Sequence, residues 1–176
     1  MEAALSLGSN LGDRRAHLCR ARDGLAALSG TTVLVVSSIY ETEPVDVPAC
    51  HRDAGFLNAV VIVETRLDAD AFSEHVHALE GMLGRRRGAV RHAPRTIDID
   101  IIYFGDVTRG QPDLRLPHPE WSRRRFVCAP LAELRPDLVL PGETRTVREI
   151  LAALPMTPSA VRAVEQWPDI CIGSTP

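Results

Sequence analysis

Between Arg91 and Phe104 the chain reads RHAPRTIDIDIIYF, and this segment constrains the fold more than any other. At a period of two, Ile97, Ile99 and Ile101 share one face of a strand, while Asp98 and Asp100 share the other. Two residues of strand rise set the carboxylates roughly 6.5–7 Å apart along the backbone, pointing the same way. Like charges that close raise one another's pKa unless a cation lies between them. Hard oxygen ligands of this kind suit Mg²⁺, which takes one or two carboxylates and completes its shell with water and substrate phosphate. An Asp-x-Asp pair alone reads as the acidic outer face of a half-exposed strand. Arg85, Arg86, Arg87, Arg91 and Arg95 lie just upstream, and they turn the reading towards a phosphate-and-metal site.

The charge pattern narrows the ligand. All 20 basic residues are arginine, yet the formal net charge is −3. Eight of the arginines fall within residues 85–95 and 123–125. A net acidic chain with such local clusters excludes a general nucleic-acid surface and points to a small polyanion gripped by guanidinium forks. With 176 residues the chain is expected to form a single catalytic domain over 1–176, its core at about 2–155 and a tail over 156–176. No run approaches the roughly 18 apolar residues that span a membrane. The start, MEAALSLG, lacks the n- and h-regions of a signal peptide, so the expected compartment is the cytosol. Cys19, Cys50, Cys128 and Cys171 have no paired or zinc-like spacing and read as reduced thiols, with Cys19 and Cys128 buried. His75 and His77 are two apart on a helix and make a poor metal pair.

Along the chain, a first strand at about Ala3–Leu7 enters the turn GSNLGD. A helix follows, with Leu18, Ala21, Leu25 and Leu28 on one stripe and Asn10 or Asp13 as its cap. The β-branched run Thr31–Tyr40 predicts a second strand, and Phe56–Thr65 a third, antiparallel to it. Asp68 opens a second helix that carries Ala71, Phe72, His75, Leu79 and Met82 inward and stops near Gly84. The arginine segment and the Asp-x-Asp strand complete a β-α-β-β-α-β order. This is an α+β, ferredoxin-like arrangement with both helices on one face of an antiparallel sheet. Further on come an extended piece at Leu114–Leu116, a helical turn near Trp121–Phe126 and a short helix over about Val147–Leu154. In the C-terminal extension, Val161, Val164 and Trp167 are candidates to pack on the domain.

The segments LSLGSNLGDR, SSIYETEPV, FLNAVVIVET, GRRRGAVRHAPRTIDIDIIYFGD and LPHPEWSRRRFVCAPLAELRPDLVLPG follow one another in order. Together they resemble the 6-hydroxymethyl-7,8-dihydropterin pyrophosphokinases (HPPK), over roughly residues 2–155. PRTIDIDI followed by PH and RRFVCAPL is the specific part; the GSN turn alone would be weak. The resemblance implies transfer of pyrophosphate from ATP to the hydroxymethyl group of a reduced pterin, leaving AMP, as a step in folate biosynthesis. It implies two Mg²⁺ ions on Asp98 and Asp100 that bridge the ATP phosphates. It also implies small-molecule substrates only, no membrane partner and a monomer.

Residue by residue, the resemblance assigns Arg85, Arg87 and Arg95 to catalysis alongside Asp98 and Asp100, with Arg87 and Arg95 also on ATP. Glu80, Ile101, His118 and Arg124 join them at the nucleotide. Phe56 and Phe126 match the positions that stack on the pterin, Asn58 its hydrogen-bonding edge, and Thr42 and Val45 the adjoining loop. A flat ring that is polar at its edge wants this combination of aromatic faces and an amide. Phe56 and Asn58, two apart on a strand, share one face. His92 and Ala93 stand where the family has tryptophan and glycine, Phe56 where it often has tyrosine, and His77 where it has glutamine.

Two other classes fit less well. An RNA-binding module would show aromatics interleaved with basic residues on its central strands, where this chain has acids, and a small-molecule sensor would not need the arginine segment next to an acidic pair. A metal-dependent nuclease or phosphatase could use the acids but leaves Phe56, Asn58 and Phe126 unexplained.

Overall fold

The computed structural model of the chain describes residues 1–42, 55–84, 95–156, 162–165 and 167. Strand β1 spans Glu2–Ser9 and β4 spans Phe56–Thr65. They pair antiparallel over their whole length, from Glu2 opposite Glu64 to Ser9 opposite Leu57. Both are central, which is why Ala3–Leu7 and Asn58–Val63 are buried on both faces and read as near-continuous apolar runs. Strand β5, Asp98–Phe104, lies beyond β1. On the other side, β2 (Thr31–Val36) and β3 (Ile39–Thr42) pair successive stretches of β4. The sheet order is β5-β1-β4-β3, with β2 also on β4 and these four pairings all antiparallel.

The expected second strand is thus broken in two. Ser37 N–H still donates to Val60 O, but its Oγ donates to Ser38 O and accepts the Val60 N–H, so a side chain takes one ladder bond where β2 ends and β3 begins. Helix α1 (Arg14–Ala26) follows β1, and α2 (Ala69–Met82) follows β4. Of the two cap candidates Asp13 is the one used, accepting from Ala16 N–H at 3.0 Å; Asp68 caps α2 through Ala71 N–H. As expected, both helices pack on one face of the sheet. Leu18, Ala21 and Leu25 of α1 join Phe72, Val76 and Leu79 of α2 over Leu5, Leu7, Val61 and Ile99. Phe72 is fully buried, which contributes about 1.5–3 kcal/mol.

The inward face of α2 differs from the expected one. His75 and Met82 are exposed and Ala71 is half-buried. The buried stripe is instead Ala69, Phe72, Ser73, Val76, Leu79 and Glu80.

The second face is covered by C-terminal helices. The short turn expected near 121–126 is a 3₁₀ turn at Trp121–Arg123 followed by a full helix, α3, over Arg125–Leu134. The short helix α4 (Val147–Ala153) lies close to its expected place, with a capping box between Thr146 and Glu149. These helices bury Val127, Cys128, Leu131, Val147 and Ile150 against Ala4, Val60, Ile62 and Ile102. A bulge in the β1–β5 pairing, where Leu5 faces Ile101 but Ala4 faces Tyr103, reverses the alternation of β5. Phe104 is thereby turned to the first face, where it meets Phe72 with ring centroids 5.7 Å apart.

The piece at Leu114–Leu116 belongs to a small hairpin of β6 (Arg109–Gly110) and β7 (Arg115–Leu116). In the tail, β8 (Arg162–Glu165) pairs with β3, and Trp167 Nε1 donates to Ser37 O at 2.6 Å. Val161 and the side chain of Val164 lie outside the described residues. Cys128 is buried, which pushes its thiol up to about 12, whereas Cys19 is half-buried rather than buried. Cys50 and Cys171 lie outside the described residues. No helix among the described residues is long and apolar enough to cross a membrane.

Candidate active site

Helices α3 and α4 cover the Ala4–Val60–Ile62 end of the second face. Its other end carries polar side chains. One hydrogen-bonded row crosses the sheet there: Tyr40 on β3, Asn58 on β4, Gly8 on β1 and Asp98 on β5. Strands lie about 4.8 Å apart, so Asn58 and Asp98 start roughly 10 Å apart across the row. Gly8 between them has no side chain. A Cβ there would come within 3.3 Å of Asn58 Oδ1 and 4.0 Å of Asp98, so this glycine keeps the floor between amide and carboxylate clear.

On the β4 side, Asn58 is 2% exposed and its Nδ2 donates to the hydroxyl of Thr42 at 2.9 Å. Thr42 faces Phe56 two rows on, on the same face of the sheet. Phe126 is half-buried at the start of α3, with the Arg124 guanidinium 5.9 Å from its ring centroid. On the β5 side, Asp98 and Asp100 share the face of the row while Ile97, Ile99 and Ile101 are buried in the first core, as the alternation predicts. Arg95 pairs with Asp98 Oδ2. Asp100 Oδ2 lies 3.8 Å from Arg124 and 4.0 Å from His118 Nε2. The structure therefore brings together Arg95, Asp98, Asp100, His118 and Arg124, drawn from two distant stretches of sequence.

His118 is positioned by its own backbone N–H, which donates to Ile102 O at 2.8 Å. Its Nδ1 accepts from Glu120 N–H, so in the neutral ring the proton sits on Nε2, towards Asp100. Burial holds the imidazole below the usual histidine range, assisted by Arg124 and opposed by Asp100.

Beside the carboxylates a cavity of about 310 Å³ opens at the edge of β5. Its walls are Ser73, Val76 and His77 from α2, Ile99, Asp100 and Ile101 from β5, and Pro112–Arg115 with His118 and Pro119 from the segment around β7. This is the size of a small-molecule site. Ile101 stands in its wall. Glu80, which the resemblance assigns to the nucleotide, is 1% exposed, and its Oε1 accepts Ile99 N–H at 2.7 Å. It grips β5 between the two aspartates. Arg85, Arg87 and Val45, together with the departures His92 and Ala93, lie outside the described residues.

The sequence reading passed over several groups that build this site. Ser9 and Asn10 in the β1–α1 turn bond to the backbone of Arg95 and Thr96. Arg14 bridges Glu41 and Gly55. Glu133 of α3 accepts from Ser38 and Tyr40. The signal was present in the GSNLGDR and YETEP strings, but no local periodicity announces a bond between distant turns.

Residues 4–136 match the family model described as 7,8-dihydro-6-hydroxymethylpterin-pyrophosphokinase, HPPK. The chain belongs to the HPPK family. Among curated relatives, the 2-amino-4-hydroxy-6-hydroxymethyldihydropteridine pyrophosphokinase of Methylorubrum extorquens is 42% identical over 163 residues, covering 93% of this chain and 98% of its own. The enzyme of the same name from Pseudomonas aeruginosa is 37% identical over 151 residues, 86% of this chain and 90% of its own. Among solved structures, the fold resembles a Plasmodium falciparum HPPK-DHPS at a TM-score of 0.67 and 17% identity. That match covers 86% of this chain but 45% of the larger one, so the HPPK chain spans less than half of its fused neighbour.

One prediction follows from the buried amide. Asn58→Ala in this HPPK chain is expected to raise the Kd for a reduced hydroxymethylpterin by about tenfold to a hundredfold, as loss of a buried hydrogen-bonding group does. Nucleotide affinity should stay unchanged. Fluorescence titration with each ligand checks it, and an unchanged pterin affinity would remove Asn58 from the pocket.

Proposed function

We propose that this chain transfers the terminal diphosphate of ATP to the hydroxymethyl oxygen of 6-hydroxymethyl-7,8-dihydropterin, releasing AMP, in folate biosynthesis. The observation that carries this reading is the row from Asn58 over bare Gly8 to Asp98. It sets a ring-binding amide and a pair of phosphate-directed carboxylates about one small substrate apart.

On this reading the pterin lies between Phe56 and Phe126, its edge on Asn58 and Thr42, with Val45 adjoining. The buried Asn58 amide is turned by its bond to Thr42, so its oxygen faces the floor above Gly8. ATP enters from the β5 edge, its base and ribose in the cavity beside Ile101 and its phosphates over Asp98 and Asp100. Arg95, His118 and Arg124 then contact phosphate oxygens, with Arg85 and Arg87 closing from the arginine segment. Glu80 serves the nucleotide side through Ile99, fixing the strand that carries both acids.

The donor set fits Mg²⁺. Two carboxylates share a face, and an ion held by one or two carboxylates completes its shell with water and substrate phosphate. Bound to Asp98 and Asp100, two Mg²⁺ ions would supply Lewis-acid charge to the phosphates and lower the pKa of the pterin hydroxyl. The protein's own work is in-line positioning and charge neutralisation at the transferred phosphate, the two contributions that dominate phosphoryl-type transfer. The neutral His118 donates from Nε2 and accepts no substrate proton at its engaged Nδ1.

The reading treats 1–176 as one catalytic domain of ferredoxin-like plan, supported by the order of strands around β1 and β4 with α1 and α2 on one face. The chain is taken to act as a monomer. Its compartment is the cytosol, where Cys19 and Cys128 stay reduced.

The deciding experiment incubates the chain with ATP, Mg²⁺ and 6-hydroxymethyl-7,8-dihydropterin, with and without the pterin, and separates the nucleotides. Pterin-dependent AMP is the expected product. ADP would keep the metal site and change the reaction class. No turnover by folded protein would favour a binding module.

A further inference from the structure

The turn between β1 and α1, residues 10–13, and its flanking residues Ser9 and Arg14 make contacts that the reaction chemistry leaves unexplained. Asn10 is 3% exposed. Its Oδ1 accepts the N–H of Arg95 at 2.7 Å, and its own N–H donates to the carbonyl of the same residue at 3.2 Å. Ser9, fully buried, donates its hydroxyl to Thr96 O at 2.6 Å. The backbone that presents Arg95 to Asp98 is therefore held on consecutive residues by one turn.

Four residues later the same turn reaches the other half of the site. Gly12 adopts φ 64° and Asp13 caps α1, which fixes Arg14 as the first helical residue. The Arg14 guanidinium donates to Gly55 O and, through both terminal nitrogens, to Glu41 Oε1 at 3.3 Å. Glu41 and Gly55 each adjoin a pterin-pocket residue, Thr42 and Phe56, which face one another in the β3–β4 ladder. The approach is close: a Cβ at Gly55 would lie 3.3 Å from Thr42 O and 3.5 Å from the guanidinium. Glu41 alternates with Tyr40 and Thr42 along β3, so this clamp grips the ladder from the side opposite the pocket.

We propose that the β1–α1 turn is a two-armed bracket whose Asn10 arm positions the phosphate-side Arg95 and whose Arg14 arm positions the pterin-side pair Thr42 and Phe56. Neither residue touches substrate; both are positioning residues. The inference rests on the reading of Arg95, Thr42 and Phe56 given under Proposed function.

The two arms serve different substrates, so their loss has opposite signatures. Asn10→Ala leaves the Arg95 N–H without its buried acceptor and should lower kcat by about tenfold or more, with the pterin Kd unchanged. Asn10→Asp keeps the acceptor oxygen and should recover most of that loss. Arg14→Met should raise the pterin KM and Kd by about tenfold, with kcat and the ATP KM within about threefold of the parent chain. Arg14→Lys, a point charge without the fork, should recover part of it. Kinetics in both substrates, direct pterin titration and Tm are measured on all four variants and the parent.

The crossed pattern, with recovery by the conservative variants, supports the bracket. Equal losses in both substrates that follow a fall in Tm would overturn it as mere scaffolding, and so would parent-like kinetics in Asn10→Ala and Arg14→Met. A parent chain that forms no AMP would instead defeat the reaction reading, before any variant is compared, and the bracket with it.

Discussion

Asp98→Ala or Asp100→Ala is expected to lower kcat for AMP formation by on the order of 10³-fold or more while the chain stays folded. On the proposed reading the two carboxylates are the hard oxygen donors of the site, and removing either takes both a metal ligand and a negative charge from beside the phosphates. Their side chains are 23% and 41% exposed, and β5 is anchored by Ile97, Ile99 and Ile101 in the core. Truncation therefore opens no large cavity, and Tm should move by only a few degrees. The isosteric Asp98→Asn and Asp100→Asn should lose nearly as much, because shape is kept and charge is not. A raised half-saturating Mg²⁺ concentration in these variants would tie the loss to the ion. Full activity in either Asn variant would sink the assignment of the pair.

The pair was readable in the sequence because period-two alternation survives burial. Ile against Asp across TIDIDI leaves one outcome, and the structure has it. The segments that misled do so for physical reasons. TTVLVVSSIY contains no Gly or Pro to mark a break, yet Ser37 satisfies the backbone with its own hydroxyl and ends β2 there. Helix α3 was hidden by Pro130 in its interior and by the arginine run at its start, although Val127, Leu131 and Leu134 keep helical spacing. On α2 the buried stripe includes Ser73 and Glu80, polar residues that read as a solvent face. Glu80 is inside because it accepts the outward N–H of Ile99 on the neighbouring strand, a partner 19 residues away. Contacts of that kind, like Asn10 to Arg95 and Arg124 to Asp100, belong to the topology and leave no trace in a local window.

The basic groups around the pair also explain why the acids tolerate one another. Arg95 faces Asp98, while Arg124 and the neutral His118 face Asp100. Among the described residues these guanidiniums lie against the carboxylates, which offsets the repulsion expected of like charges on one strand face. On the proposed reading, metal-bound ATP replaces this internal pairing. The acids turn to the cations brought with the nucleotide, and the arginines are released to its phosphate oxygens. The site is then assembled before substrate arrives, with side chains exchanging partners over a few ångströms rather than refolding.

Arg95→Ala tests that exchange most directly, because Arg95 stands on both sides of it. Its side chain pairs with Asp98, and its backbone is held to the β1–α1 turn by Asn10. The truncation keeps the backbone bonds and removes only the guanidinium. Losing a preorganised cation from a phosphate transition state costs about 10²- to 10³-fold in kcat, and that is the expected fall. Pterin affinity should change by less than about threefold, since Asn58 and Thr42 lie across Gly8 on the other side of the row. Mg²⁺ requirement should not rise, because Asp98 loses a competitor for its carboxylate. Arg95→Lys should recover only part of the rate, as an ammonium restores the charge but not the two-pronged geometry. Steady-state kinetics at varied pterin and Mg²⁺, with pterin titration alongside, separate these effects. A pterin affinity that falls as far as kcat would place Arg95 in the pterin pocket instead, and a raised Mg²⁺ requirement would mean that the arginine supports the metal site rather than exchanging with it.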